Sequence, residues 1–308
     1  MNDMRLFTAQ INNWTDWSNV FQSISAFTPL VEYILKNEHL PIVEIEHLTP
    51  GTNAVFKVGG YVIKIFAPAE SGMDQTPSFQ SELFATHRAA SQGVAVPQII
   101  AVGSVQDKYR FAYMITEYIV GVEFWDAVKT MTDCEKVEIG RRLRTITDKM
   151  NTPCEPFNNI DVIHDKDRWR RWDKYPESFR TERISYITSH DYGEKVFVHG
   201  DLCGDNMLLS PDGELYIIDF GDAVLAPVIY EHAHMAVVTF DFNPKLLLGY
   251  FGEYDPGDLA ARCFDGLLIH DFGGDIVAQY IGKPDEFKCL EQLRERLRQK
   301  LNAGGDLA

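Results

Sequence analysis

Two short polar segments contain the candidate catalytic and metal-binding residues of this sequence. One is 199–206, with the sequence HGDLCGDN, and the other is 217–222, with the sequence IIDFGD; each borders a strongly apolar strand pattern. Asp201 could orient an attacking hydroxyl group and accept its proton, and Asn206 and Asp219 offer the oxygen ligands that Mg²⁺ requires. Asp201 and Asp219 are eighteen residues apart, a length that allows a hairpin to return the second carboxylate to the first. The combination predicts phosphoryl transfer from a magnesium-bound nucleotide.

A lysine and a glycine-containing turn upstream fit the same chemistry. Lys64 lies in the strand pattern YVIKIF at 61–66, where alternation places it on one face with Val62 and Phe66. The ammonium group therefore points into a cleft or into water, and a lysine on an edge strand would give the same pattern. The turn at 49–53, TPGTN, has a single glycine and is by itself a weak indication of a phosphate-binding loop.

These residues need a scaffold, and the hydrophobic periodicity predicts one of mixed type. The strand patterns lie at 42–48, 55–58, 61–66, 99–105 and 110–117, and the helical patterns at 14–37 (broken near Pro29), 79–93, 133–151, 228–249, 257–281 and 285–301. We therefore predict an α+β fold in three parts. An N-terminal helical extension (1–44) precedes a small antiparallel β-rich lobe (45–120), which is followed by a larger helical lobe (121–308).

Composition and charge exclude several other classes of protein. The 308 residues are 45% apolar and include 19 Phe, which is enough for globular cores and argues against disorder. No apolar run approaches the roughly 20 residues of a membrane span, and the N-terminal segment lacks the pattern of a secretory signal. Five widely spaced cysteines without a CxxC pair indicate reduced thiols, so a cytoplasmic location is expected. A net charge of −16 disfavours nucleic acid or an anionic membrane as a partner.

The segment HGDLCGDN followed by IDFGD resembles the aminoglycoside phosphotransferase family, whose members are small-molecule kinases with a protein-kinase-like fold. Protein kinases have an arginine where Gly200 stands, in the motif HRDxxxxN, and an activation segment that ends in APE. The glycine and the lack of such a segment favour the small-molecule branch. The resemblance covers 45–240 and implies a two-lobed fold with ATP or GTP and Mg²⁺ as cofactors.

The resemblance also implies roles for the residues of the larger lobe. Asp201 would be the catalytic residue, and Asn206 and Asp219 would bind the metal ion. One departure from the family pattern follows IDFGD, where Glu231 stands at a position that the family usually fills with Asp. This difference leaves the subfamily open.

For the nucleotide, the resemblance implies contacts from the β-rich lobe. Lys64 would clamp the α- and β-phosphates and pair with an acid further along the chain, for which Glu82 is the better candidate and Glu70 the weaker. The remaining contacts would come from the turn that covers the phosphates and from main-chain atoms of the segment that joins the lobes: Gly51, Thr52, Asn53, Glu117 and Ile119.

The distribution of charge suggests a class of acceptor. Residues 191–285 contain 17 acidic and only 4 basic side chains, whereas residues 121–190 are balanced. In the fold that the resemblance implies, the acceptor lies beside Asp201, so an acidic wall there would attract a small cationic molecule with a hydroxyl group, such as an aminoglycoside. A solvated acidic surface would give the same count. The candidate wall residues are Asp205, Glu231, Asp265, Asp271 and Asp275, the last three on one helical pattern.

Other functions remain compatible with these motifs. A kinase of the same fold could act on an amino alcohol or a sugar. The fold can also serve as a catalytically silent binding module, but the presence of all four polar residues that catalysis needs argues against this; they are Lys64, Asp201, Asn206 and Asp219. A protein kinase is disfavoured because the activation segment is missing. His232 and His234 are two residues apart in a helical pattern, so they point to different faces and do not predict a metal site.

Overall fold

The computed structural model describes residues 5–49, 51–73 and 75–305, and these residues form two compact units. The first unit contains the described residues up to Leu83 together with Val96–Val120, and the second contains Phe84–Ala95 and the described residues from Gly121 onward. The first is a sheet with flanking helices and the second is mainly helical, so the predicted α+β class is confirmed. No helix among the described residues has the length and apolar character that crossing a bilayer requires.

The first unit is built around an antiparallel sheet. Its elements are α1 (Trp14–Val20), α2 (Ile24–Asn37), β1 (Ile45–His47), β2 (Ala54–Val58), β3 (Tyr61–Ile65), the first part of α3 (Thr76–Ser91), β4 (Ile99–Gln106) and β5 (Arg110–Glu117). The described strands have the order β1-β2-β3-β5-β4. Lys64 on β3 lies opposite Val55 of β2 and Met114 of β5. It is therefore on an interior strand, and the alternative of an edge-strand lysine is wrong.

The N-terminal helices belong to the core of the first unit and do not form the separate extension predicted over 1–44. Phe7, Trp17 and Phe27 are fully buried in one cluster with Phe56 of the sheet. The rings of Phe7 and Phe27 are 4.9 Å apart. Because these aromatic side chains cover one face of the sheet, the segment is needed to complete the core.

The helical break predicted near Pro29 is in the wrong place. The chain breaks between α1 and α2, where the Ser23 hydroxyl accepts a hydrogen bond from the Ala26 N–H and begins α2. Pro29 lies inside α2. The N-cap, and not the proline, therefore sets the boundary.

The second unit contains the remaining helices and two small sheets. Its elements are α4 (Phe124–Thr130), α5 (Asp133–Met150), α6 (Glu177–Ser189), α7 (Ile229–His234), α8 (Pro244–Phe251), α9 (Pro256–Ile269), α10 (Gly273–Ile276) and α11 (Leu290–Gly305), with β6 (Val122–Glu123), β7 (Lys195–Val198), β8 (Met207–Leu209), β9 (Leu215–Ile217) and β10 (Val224–Pro227). The described strands pair as β6-β8-β9 and β10-β7.

Two helices predicted after the second acidic motif are each interrupted. The pattern at 228–249 contains α7, a π-helical stretch and a loop before Asn243 caps α8. The pattern at 257–281 ends its first helix at Ile269, and a Cβ on Gly273 would lie 2.9 Å from the Trp172 ring. The missing side chain of Gly273 thus allows the chain to turn against the segment that contains this tryptophan. As a consequence, the three acids predicted to share one helix are on α9, in the turn after it and on α10.

Candidate functional site

The loop at 199–206 and the hairpin that follows it bring the residues of the two acidic motifs together in the second unit. After the loop, the chain runs out along β8 and back along β9. The Ile218 N–H then donates a hydrogen bond to the Asn206 carbonyl oxygen at 3.0 Å. The structure therefore contains the hairpin that the spacing from Asp201 to Asp219 predicts.

Asn206 orders the loop around Asp201. Its side-chain Nδ2 donates to the Asp201 carbonyl oxygen at 2.8 Å and lies 3.5 Å from Oδ2 of the same residue. The spacing of five residues thus returns the amide to the backbone of the acid. Because the amide nitrogen is engaged in this way, the amide oxygen is the atom of Asn206 that could bind a metal ion.

Gly200 is required by the path of the loop. Its φ is +86°, in the region that residues with a Cβ disfavour. A Cβ on Gly200 would lie 2.9 Å from the carbonyl carbon of Asp222 and closer still to its oxygen. The arginine that protein kinases have here would not fit, so the close approach to Asp222 accounts for the glycine.

A buried carboxylate on α7 holds the backbone of the same loop. Glu231 Oε2 accepts a hydrogen bond from the Gly200 N–H at 3.2 Å, and the residue is 1% exposed. Burial raises the pKa of Glu231 to about 7, while the N–H donors of Gly200 and His199 act in the opposite direction. Glu231 is therefore inside the protein and supports the loop, which corrects its predicted place in an acceptor wall.

His199 connects the start of the loop to the chain before Asp219. Its Nε2 lies 3.0 Å from the Ile218 carbonyl oxygen, which can only accept, so Nε2 carries the proton and donates. Its Nδ1 accepts from the Asp201 N–H at 3.3 Å. Burial lowers the pKa of His199, in agreement with a neutral imidazole that makes both bonds.

Asp219 has a backbone conformation that is uncommon for a residue with a side chain. Its φ is 58° and its ψ is 67°, in the left-handed region. Such strain persists only where the surrounding structure maintains it, and it is concentrated at functional sites. The role of Asp219 as a metal ligand stays a prediction.

The carboxylates of the two motifs lie close enough to affect one another. The Asp222 side chain reaches the surface, yet the surrounding protein displaces much of the water around it, and this desolvation raises its pKa to about 7. The charges of Asp201, Asp219 and Asp271 act in the same direction. This concentration of negative charge favours the binding of a cation.

A tryptophan and a threonine fix the other side of the loop. Thr239 Oγ1 donates to the Leu202 carbonyl oxygen at 2.6 Å, and Trp125 Nε1 donates to the Thr239 carbonyl oxygen at 3.2 Å. A Cβ on Gly204 would lie 2.6 Å from Cδ1 of Trp125 and closer still to Cγ and Cδ2, so the indole packs directly on the loop backbone. The loop is therefore fixed on both sides of Asp201.

The sequence analysis missed one contact of Asp201. His234 Nε2 lies 3.2 Å from Asp201 Oδ1. The spacing of two residues places His232 and His234 on different faces of α7, but the spacing of three residues places Glu231 and His234 on the same face. Residues three apart share a face of a helix, so a histidine three residues after the acid that faces the loop was the available signal.

In the first unit, the structure pairs Lys64 with Glu82, the better of its two candidate partners. Lys64 Nζ lies 2.9 Å from Glu82 Oε1 and 2.8 Å from Oε2, and the two side chains are 13% and 4% exposed. The low exposure of both partners makes the pair more strongly coupled than a surface ion pair. The role of Lys64 at the nucleotide phosphates stays a prediction.

The other predicted nucleotide contacts are partly engaged within the first unit. The Thr52 carbonyl oxygen accepts from Trp17 Nε1 at 2.9 Å, and Asn53 Oδ1 accepts from the Ala67 N–H at 3.2 Å. A Cβ on Gly51 would meet nothing within 4 Å. Pro50 in this turn lies outside the described residues.

The segment that joins the two units carries the predicted adenine contacts. The Glu117 N–H donates to the Gln98 carbonyl oxygen at 2.9 Å, and Ile119 is buried. The N–H of Glu117 is thus used within the first unit. Whether main-chain atoms of either residue contact adenine stays a prediction.

Most of the predicted acidic wall is neutralised within the protein. Asp271 pairs with Arg168 at 3.1 Å, and Asp275 pairs with Arg171 at 2.8 Å and also with Lys174. These cations come from residues 121–190, outside the segment in which the charge was counted. The excess of acidic side chains in 191–285 therefore overstates the negative charge that this part of the chain presents to a ligand.

Asp265 is also engaged by neighbouring side chains. It accepts a hydrogen bond from the Tyr186 hydroxyl at 2.8 Å and lies 3.8 Å from His190 Nε2. Both partners belong to α6 or the chain just after it. No contact in the described residues places Asp265 at the loop of Asp201.

A different group of acids lies around the loop. Burial raises the pKa of Asp205, and the carboxylates of Glu123 and Asp201 raise it further. Burial followed by the charges of Asp241, Asp205 and Asp201 also raises the pKa of Tyr280. Sequence analysis found Asp205 but missed Glu123 and Asp241, because Glu123 is outside the acidic segment and Asp241 is in a loop that was predicted to be helical.

The donor set fits Mg²⁺ bound together with a nucleotide. Among the described residues, no group of three or more His, Cys, Asp or Glu side chains could hold a metal ion by itself. Mg²⁺ commonly takes only one or two protein oxygen ligands and completes its shell with phosphates and water. The Asp219 carboxylate and the Asn206 amide oxygen match that requirement.

Comparison with known proteins supports the resemblance seen in the motifs. A family model described as "Phosphotransferase enzyme family" matches residues 50–264. The fold is similar to that of wild-type aminoglycoside 2'-phosphotransferase-IIIa in its GDP complex, with 20% identity over 93% of this chain and 97% of that chain and a TM-score of 0.59. No match was found among curated proteins.

Two further solved structures have a similar fold. One is a thermostable mutant of aminoglycoside phosphotransferase APH(4)-Ia in a ternary complex with AMP-PNP and hygromycin B (18% identity, 89% of this chain, 98% of that chain, TM-score 0.57). The other is a choline/ethanolamine kinase family protein from Mesorhizobium loti (18% identity, 89% of this chain, 99% of that chain, TM-score 0.55). At these identities, the similarity shows the fold alone.

Proposed function

The chain belongs to the phosphotransferase enzyme family, whose model matches residues 50–264, and from this premise we propose that it transfers the γ-phosphoryl group of ATP or GTP to a hydroxyl group of a small molecule. The observation that carries the proposal is the loop at 199–206, where the Asn206 side chain is bonded to the backbone of Asp201 and the hairpin returns Asp219. Structures of similar fold contain GDP or AMP-PNP, which supports a nucleotide as the donor.

In the proposed reaction, Asp201 orients the acceptor hydroxyl group. Because Oδ1 faces His234, Oδ2 is the atom that accepts the hydroxyl proton. The acceptor oxygen then forms a bond to the γ-phosphorus, the bond from this phosphorus to the bridging oxygen breaks, and the nucleoside diphosphate leaves. No covalent intermediate on the protein is needed. The thiol of Cys203, whose pKa burial raises to about 12, has no part in this step.

The donor nucleotide requires positive charge and metal ligands from this chain. We assign the phosphate contact to Lys64, whose ammonium group is oriented by Glu82. Asn206 and Asp219 would hold Mg²⁺, which when bound neutralises charge on the β- and γ-phosphates. The left-handed backbone of Asp219 would keep its carboxylate in one direction for this purpose.

The acceptor that we propose is a small alcohol with one or more cationic amino groups. The support is the acidic group around the loop, namely Glu123, Asp205 and Asp241, and not the larger wall counted in the sequence. One structure of similar fold contains hygromycin B and another belongs to the choline/ethanolamine kinase family, and hygromycin B, choline and ethanolamine are all alcohols with cationic amino groups. An aminoglycoside and an amino alcohol are the two candidates to be distinguished.

The test is an acceptor screen with Mg-ATP and Mg-GTP. Kanamycin, hygromycin B, choline, ethanolamine and glucose are each assayed for acceptor-dependent release of nucleoside diphosphate and for the phosphorylated product by mass spectrometry. We expect turnover with at least one cationic alcohol and none with glucose. Turnover restricted to the neutral sugar would contradict the acceptor class, and the absence of both nucleotide binding and turnover would contradict the phosphotransferase.

The matched variant is Asp201→Asn, which preserves the shape of the side chain but removes its charge. Turnover should fall by roughly 10²–10⁴-fold because a positioned base contributes that much to proton transfer. The thermal shift produced by the nucleotide should be preserved. Turnover within about threefold of the wild type would remove Asp201 from the mechanism.

A further inference from the structure

A buried histidine on α7 contacts the proposed catalytic residue. His234 Nε2 lies 3.2 Å from Asp201 Oδ1, and the histidine side chain is only 3% exposed. An ionised carboxylate can only accept hydrogen bonds, so a hydrogen bond at this contact requires the proton on Nε2. The contact therefore joins the carboxylate of Asp201 to an imidazole nitrogen of a side chain that solvent hardly reaches.

The ring of His234 is held by a stack of buried rings. Its centroid is 5.2 Å from that of His270 with an interplanar angle of 22°, and the His270 ring lies 3.9 Å from that of Tyr230, also at 22°. His270 is itself fixed, because its Nδ1 accepts from the Phe272 N–H at 3.1 Å. The imidazole of His234 is therefore held in one orientation by its neighbours.

His234 and Glu231 act on the same loop from the same face of α7. Glu231 accepts a hydrogen bond from the Gly200 N–H, and His234 contacts the carboxylate of the next residue, Asp201. The first contact fixes the backbone, but it leaves the carboxyl torsion of Asp201 undetermined, since that torsion is broad in aspartate. The contact from His234 supplies this missing constraint.

We propose that His234 is a positioning residue for Asp201. Its Nε2–H holds Oδ1 and thereby presents Oδ2 to the acceptor hydroxyl group. Asn206 Nδ2 lies 3.5 Å from Oδ2, too far for a strong hydrogen bond, so this oxygen keeps its capacity to accept from the substrate. The inference rests on the proposed function, but the hydrogen bond itself can be tested without it.

The kinetic experiment compares three variants. His234→Phe keeps an aromatic ring in the stack but removes the donor, whereas His234→Gln restores an N–H donor near the position of Nε2. His232→Phe is the matched control, because this second buried histidine of α7 packs 5.9 Å and 5.6 Å from the rings of Tyr250 and Phe251 and makes no contact with Asp201 in the described residues.

We expect His234→Phe to lower kcat by roughly 10- to 100-fold, the factor associated with one hydrogen bond to a charged group. The KM values for nucleotide and acceptor should stay within about threefold of the wild type. His234→Gln should recover most of kcat, and His232→Phe should resemble the wild type. A kcat of His234→Phe within about threefold of the wild type would overturn the proposal, as would a His234→Gln variant that is equally slow.

A second measurement does not depend on turnover or on a folded His234 variant. Protein with ¹⁵N-labelled histidine should show a His234 signal with the proton on Nε2, and this signal should shift in Asp201→Ala while the His232 signal does not. A proton on Nδ1, or a His234 signal unchanged in Asp201→Ala, would overturn the contact. A preserved contact in a protein without phosphotransferase activity would instead refute the proposed function alone.

Discussion

Replacing Gly200 by alanine is expected to reduce both the stability of the protein and its turnover, and Gly213 provides the matched control. The two glycines have nearly the same φ, +86° and +84°. A Cβ on Gly200 would lie 2.9 Å from the carbonyl carbon of Asp222, whereas a Cβ on Gly213 would meet nothing within 4 Å. The pair of variants therefore separates the cost of a left-handed backbone from the cost of a collision.

The two costs can be given magnitudes. A left-handed conformation costs a residue with a side chain roughly 1–2 kcal/mol, and this applies equally to Gly200→Ala and Gly213→Ala. Gly200→Ala also forces a methyl group against a backbone carbonyl, which cannot rotate away, and overpacking of this kind costs about 1–3 kcal/mol. We thus expect the free energy of unfolding to fall by about 1–2 kcal/mol in Gly213→Ala and by about 2–5 kcal/mol in Gly200→Ala.

The effect on catalysis follows from where the strain is relieved. To accept the methyl group, the chain must move at Gly200 or at Asp222. Gly200 is next to Asp201, and Asp222 lies three residues after Asp219. Urea unfolding and steady-state kinetics of both variants provide the test, with kcat expected to fall in Gly200→Ala only. Equal losses of stability in the two variants, or a Gly200→Ala enzyme with full kcat, would refute the reasoning.

Three more outcomes are expected. Asp219→Ala should abolish release of nucleoside diphosphate even at saturating nucleotide, and EDTA should abolish the activity of the wild type. Full activity in EDTA would refute the role of Asp219 as a metal ligand. The acceptor KM should rise between about 50 and 500 mM salt, where the Debye length falls from roughly 14 to 4 Å, while the nucleotide KM changes little. Burial lowers the pKa of His232 to about 4, so this histidine binds a proton more readily in the unfolded chain, where its pKa is about 6.5, than in the folded protein. The free energy of unfolding that depends on neutral His232 is therefore fully present above pH 6.5 and is lost as the pH falls through 4. Between pH 7 and pH 4, the free energy of unfolding of His232→Phe should therefore fall by about 3 kcal/mol less than that of the wild type, as measured by urea unfolding. An identical pH dependence of the two proteins would contradict this.

The sheet of the first unit was predictable from sequence because its strands are buried on one face more than on the other. In β2, for example, Ala54, Phe56 and Val58 are buried while Val55 and Lys57 are half-buried, so the alternation is visible in the residue types. The helices after Asp219 were less predictable. Every residue of 230–240 is buried, so no polar face marks where α7 ends or where the following loop begins.

The candidate site was predictable where its geometry is set by short stretches of chain. The side chain of Asn206 reaches the backbone of Asp201 across five residues, and a single hairpin returns Asp219. His234 was not predicted, because its partner is 33 positions earlier in the chain. Only its place one helical turn after Glu231 connects it to the loop, and that connection requires knowing that Glu231 faces inward.

The acidic segment shows why the net charge of a stretch of sequence does not locate an acidic surface. Asp275 is paired with Arg171 and Lys174, which the charge count assigned to a balanced segment, so it contributes little field to the surroundings. Asp205 lies instead beside Asp201 and Glu123, so its neighbours add to the negative charge around the loop and do not cancel it. Attraction of a cationic acceptor should therefore come from Asp205 and not from Asp275. Asp205→Asn should raise the acceptor KM and flatten its dependence on salt, whereas Asp275→Asn should do neither. An equal effect of the two substitutions would show that the acceptor senses the total charge of the protein and not the acids around the loop.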